Sequence, residues 1–147
     1  MMNKQYEALI KNDEKIYTTL ANTSAYIFEN FKLLNWVGFY LNENETLYLH
    51  AFQGKVACTK IPFNRGVCGF ACRIKQTVVV GDVHQFEDHI ACDSASQSEI
   101  VIPIIINNQL FGVLDIDSPI TYRFSEEDQK QLEEIVNILE KKLETLL

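Results

Sequence analysis

The feature that most restricts the fold of this chain is a pair of strongly apolar runs, Glu99 to Ile106 and Gln109 to Asp117, separated only by Asn107 and Asn108. Asparagine accepts the positive φ that a two-residue hairpin turn requires, so the pattern predicts two adjacent antiparallel strands. Three carboxylates stand out against that apolar background: Glu99 opens the first run, while Asp115 and Asp117 close the second. Strand side chains alternate between faces, so Asp115 and Asp117 share one face and Ile116 takes the other. The turn returns this end of the second strand to the start of the first, which brings Glu99 towards both aspartates. Carboxylates converging in this way would raise one another's pKa and attract a cation. The competing reading is a strand end at which each of them points into water.

The rest of the chain supplies partners for that hairpin. From Lys4 to Phe31 the apolar residues recur at helical spacing, and Asn12-Asp13 is the point at which the stretch would break into two helices. Trp36 to Leu41, with Gly38 inside it, and Thr46 to Phe52 read as a second hairpin around the polar turn Asn42 to Glu45. Ala57 to Phe63 is expected as a short strand, Asn64 to Ala71 as a loop entering a small helix that ends near Lys75, and Thr77 to Val80 as a buried strand. Asp82 to Ser98 reads as a long polar loop, and loops of that length in compact domains are usually functional or disordered. Ser125 to Asp128 forms a variant capping box ahead of a long amphipathic helix carrying Leu132, Ile135, Val136, Leu139, Leu143 and Leu146. The predicted class is α+β, with five or six strands in an antiparallel sheet and helices packed on one face, because that arrangement buries every apolar stripe at once.

At 147 residues the chain has the size of a single domain, here taken as residues 1–147. A net charge of −7 and a pI near 4.9 give a surface that on average repels phosphate backbones and anionic head groups, so neither nucleic acid nor membrane is expected as a partner. The polar start of the sequence and the lack of any apolar run near the ~20 residues of a membrane span predict a cytoplasmic protein.

Cys58, Cys68, Cys72 and Cys92 fall within one quarter of the chain. In a reducing compartment such clustering suggests metal binding, thiol catalysis or small buried fillers. Zinc could draw on Cys68, Cys72, His84, His89 and Cys92, but the two histidines lie five residues apart in a loop and Cys58 is left over, so no metal is expected. Gly66-Val67-Cys68-Gly69 lacks the Lys-Ser/Thr pair of a phosphate loop. Cys92, in a polar loop beside His89 and near His84, suits a reactive thiol, whereas Cys72 beside Ala71 suits a filler.

The segments Phe52-Gln-Gly-Lys-Val-Ala-Cys58, Arg65-Gly-Val-Cys-Gly69, Asp82-Val-His84, His89-Ile-Ala-Cys-Asp93 and Ser98-Glu-Ile-Val101, with Asn35 to Tyr40 and Leu114 to Ser118, resemble the free methionine-(R)-sulfoxide reductases built on the GAF domain. The resemblance implies a GAF-like sheet of about six strands, with the N- and C-terminal helices on one face and a loop-covered ligand pocket on the other. It implies Cys92 as nucleophile, Cys58 or Cys68 as resolving thiol, Trp36 and Tyr40 as pocket aromatics, and Glu99, Asp115 and Asp117 as substrate-facing carboxylates. Cys72 matches no motif of the family.

That chemistry agrees with the residue types. A sulfoxide sulfur accepts a thiolate only once its oxygen is protonated, so Glu99 or Asp117 is expected to serve as the acid. The resulting sulfenic acid would condense with a second thiol to a disulfide, reopened by thioredoxin, with no cofactor. The resemblance also implies a homodimer. The competing functional reading is a GAF module that senses a small ligand or redox state without turnover.

Overall fold

The computed structural model describes residues 2–88 and 94–147. Its six-stranded sheet runs in the order β3-β2-β1-β6-β5-β4, with every neighbouring pair antiparallel. One hairpin is β5 (Ser98–Ile106) and β6 (Gln109–Ser118), turned by Asn107 and Asn108 at φ 54° and 63°, with β6 in the middle of the sheet. The second hairpin, β1 (Trp36–Glu43) and β2 (Thr46–Gly54), turns through Asn44 and Glu45, also at positive φ. The edges are the short strands β3 (Lys60–Pro62) and β4 (Val78–Val80).

Side-chain alternation divides the sheet into two differently furnished faces. Val37, Phe39, Ile100, Ile102, Ile104, Leu114 and Ile116 pack against α1 (Met2–Ile10), α2 (Ile16–Asn30) and α4 (Glu126–Leu146) in the main core. The expected break between α1 and α2 falls at residues 11–15, and the Ser125–Asp128 capping box closes reciprocally at the start of α4. Trp36, Tyr40, Val101 and Val113 point the other way, into a smaller cluster covered by α3 (Gly66–Ile74). Among the described residues no helix is long and apolar enough to cross a membrane.

Three segments depart from the sequence reading. The strand expected from Ala57 to Phe63 shortens to Lys60–Pro62, and the Cys58 carbonyl accepts from the Tyr40 hydroxyl of β1 instead of a strand partner. α3 begins at Gly66, within the stretch expected as loop. A Cβ at residue 69 would stand 2.6 Å from the Phe63 carbonyl oxygen, so Gly69 marks a helix laid directly on backbone rather than a flexible joint. The region 82–98 contains a 3-10 turn, Val83–Gln85, capped by the Asp82 carboxylate on the His84 amide at 3.0 Å. The Val83 amide bonds the Gln97 carbonyl at 2.9 Å, tying the two ends of this region together beside the sheet.

Gly69→Ala tests that packing. Alanine ordinarily gains up to ~1 kcal/mol over glycine inside a helix. Here the backbone contact reverses the sign, with an expected loss of about 1–3 kcal/mol in urea denaturation.

Candidate active site

β6 organises the polar end of the second face. In the ladder Asp117 stands opposite Trp36 of β1 on one side and Glu99 of β5 on the other, while Asp115 stands opposite Gly38 and Val101. Strand alternation turns Asp115 and Asp117 away from the main core, and Glu99 joins them on the same face. With Glu99 only 7% and Asp115 6% exposed, this is no solvated strand end. Carboxylate oxygens of Glu99 and Asp115 and the Cys68 sulfur, presented by α3, all lie within 4.8 Å of one another.

Desolvation governs the charge state of this cluster. Burial pushes the Glu99 carboxyl well above its ordinary range, and the charges of Asp115 and Asp117 push in the same direction. Burial raises Asp115 as well, although hydrogen bonds from Glu99 and Cys68 oppose the rise. The upward push is stronger on Glu99, because the hydrogen bonds that reach Asp115 favour its charged form. The Cys68 thiol is likewise held neutral, chiefly by burial and then by the adjacent acids. Asp115 Oδ1 remains buried without a hydrogen-bond partner, an omission worth about 1–3 kcal/mol for a polar atom away from water.

The aromatic wall is built beside it. Trp36 stacks on Phe52, with ring centroids 5.3 Å apart, and on Tyr40, at 5.9 Å. A Cβ at residue 38 would collide with both Trp36 and Phe52, so the glycine inside β1 makes room for the stack. The sequence reading missed Phe52, and a glycine between two aromatics on one strand face is the signal that could have found it. Trp36 Nε1 donates to the Lys55 carbonyl at 3.1 Å, and the Tyr40 hydroxyl donates to the Cys58 carbonyl at 2.9 Å. Burial, followed by the charge of Asp115, keeps that phenol protonated.

Of the candidate thiols, Cys58 is disulfide-bonded, whereas Cys68 and Cys72 are free. Cys72 is buried in the α3 cluster, and desolvation pushes its thiol up to about 12. Cys72 and His84, two members of the conjectured zinc set, take no part in the Cys68–Glu99–Asp115 group. Cys92, His89 and Asp93 lie outside the described residues. The structure thus brings together Trp36, Tyr40, Cys68, Glu99, Asp115 and Asp117, with the Cys58 loop fastened to the same wall.

Residues 16–143 match the family model of the GAF domain, and the chain belongs to that family. It is 50% identical over 144 residues to the free methionine-R-sulfoxide reductase of Escherichia coli (strain K12), covering 98% of this chain and 87% of that protein. The free methionine-R-sulfoxide reductase of Neisseria meningitidis, in complex with its substrate, superimposes with a TM-score of 0.95 at 46% identity, covering 99% of this chain and 87% of that one. The fRMsr of Staphylococcus aureus in its reduced form gives 0.93 at 50% identity, with 97% and 92% covered. Within the GAF domains, the chain is thus a member of the free methionine-(R)-sulfoxide reductase family.

The raised carboxyl pKa values carry a sign for stability. A group whose folded pKa lies above its unfolded value of 4.5 releases its proton later in the native state, so stability falls as pH rises from that value towards the folded pKa. Glu99→Gln keeps the shape and removes the titration. Between about pH 5 and about pH 8 its melting temperature is expected to fall less than that of the parent chain, and the difference to widen as pH rises.

Proposed function

We propose that this chain, acting as one GAF domain over residues 1–147, reduces free L-methionine-(R)-sulfoxide to methionine in the cytoplasm. The observation that carries the proposal is the buried, proton-retaining group of Glu99, Asp115 and Cys68, with an unsatisfied Asp115 oxygen beside the Trp36 wall. Names of close relatives and the substrate complex of the Neisseria meningitidis protein support the same reading.

In this mechanism the substrate's ammonium group pairs with Asp115 and Asp117, and its methyl group rests on the Trp36 and Tyr40 wall. The substrate carboxylate meets backbone N–H groups near Gly54 to Ala57. Glu99 donates its proton to the sulfoxide oxygen as the Cys92 thiolate attacks the sulfur. The oxygen passes to Cys92 as a sulfenic acid and methionine leaves as the thioether. Cys58 then attacks that sulfenic acid, forming a disulfide and releasing water. A thioredoxin dithiol reopens the disulfide by exchange and becomes oxidised itself. Cys58 suits the resolving role better than Cys68, whose burial among acids opposes the thiolate form. A peptide-bound methionine sulfoxide has no free ammonium to meet the buried acids, which gives selectivity for the free amino acid. The working unit is a homodimer, as the family resemblance implies.

Incubating the purified protein with each epimer of free methionine sulfoxide and a dithiol tests the activity. Methionine should form from the R epimer, and binding without turnover would favour a sensor instead. Cys92→Ser should abolish the reaction, whereas Cys58→Ser should still release one methionine per chain in a single turnover. Glu99→Gln should slow that release by about 10²-fold or more, the usual contribution of a positioned acid.

A further inference from the structure

The loop carrying Cys58 has no regular secondary structure of its own, yet its backbone is fastened to the pocket wall. It leaves β2 at Gly54 and enters β3 at Lys60, with Val56 almost fully exposed between them. Its carbonyls at Lys55 and Cys58 accept from Trp36 Nε1 and from the Tyr40 hydroxyl, and the Thr59 carbonyl accepts from the Leu49 amide at 3.0 Å. The Tyr40 bond is the one made to the redox residue itself. Its donor stands on β1, the strand next to the one bearing Asp115 and Asp117.

We propose that Tyr40 is a positioning residue for the disulfide at Cys58: by holding the Cys58 carbonyl, its hydroxyl aims the sulfur and makes the disulfide harder to reduce. Holding one atom of the peptide plane restricts the Cα–Cβ direction, and disulfide closure tolerates only a narrow range of Cα separation and torsion. The hydrogen bond and the disulfide constrain the same residue. Each therefore costs less entropy once the other has formed, and this coupling is reciprocal. Pocket lining would need only the ring of Tyr40; this role needs its oxygen. The half-buried carbonyl would lose its protein donor in Tyr40→Phe, while the ring would still stack on Trp36. Placing Cys58 in the recycling step rests on the proposed function, but the redox property itself does not.

The test is the redox equilibrium of the protein as it stands, without sulfoxide. Protein is equilibrated in graded mixtures of a reduced and oxidised small dithiol, and the reduced fraction is read by alkylation and mass. Reduction breaks one S–S bond and uses two electrons and two protons, while the reagent closes its own disulfide. The hydrogen bond counts only by the part gained when the disulfide closes; with the Cys58 carbonyl released in the dithiol form, its loss in Tyr40→Phe should weaken the disulfide by about tenfold, which moves the potential about 30 mV in the positive direction. Tyr17→Phe, at an exposed position on α2, should leave the potential in place. If Tyr40→Phe fails to fold, Trp36→Phe removes the tether at Lys55 and should shift the potential in the same direction. A shift below about 15 mV in the folded Tyr40 variant, roughly threefold in the equilibrium, overturns the proposal. Because no turnover enters the measurement, a failure here is distinct from a failure of the reductase reading.

Discussion

The polar site depends on one constraint: β6 is the second strand of a hairpin whose two faces are both covered. Leu114 and Ile116 lie in the core under the helices, so Val113, Asp115 and Asp117 have to face the α3 side. A one-residue slip of that strand would drive both aspartates into the helical core, at a cost that no exposed loop could offset. The register is fixed by hydrophobic burial, and the position of the acids follows from it.

Once placed there, the acids cannot all ionise. Desolvation and the neighbouring charges push the Glu99 carboxyl upward beside an Asp115 oxygen that lacks a hydrogen-bond partner. Burying such a cluster costs stability. The neighbouring Cys68 thiol is pushed towards its neutral form by the same burial.

The aromatic wall links this chemistry to the Cys58 loop. Trp36 and Tyr40 are core residues by exposure, at 2% each, yet each places one polar atom at the cluster's edge and spends it on a loop carbonyl. Their rings contribute packing and their heteroatoms contribute position, which is the usual division of labour for buried Tyr and Trp.

By itself the sequence determined the hairpins, their turns, the capping box of α4 and the convergence of Glu99 with Asp115 and Asp117. All of these follow from short-range rules: asparagine at positive φ, a period of two in strands and a period near 3.6 in helices. Cys58, Cys68 and Cys92 were legible as candidates through motifs, with the last outside the described residues. Tertiary structure alone decided that Gly69 is a packing contact, that Phe52 completes the aromatic stack, and that residues 55–59 hang from Trp36 and Tyr40 rather than extend β3. It also decided that Glu99 and Asp115 are buried, which pushes both carboxyls upward. Those outcomes depend on contacts between segments distant in sequence and on the dielectric they enclose, and no local pattern encodes either.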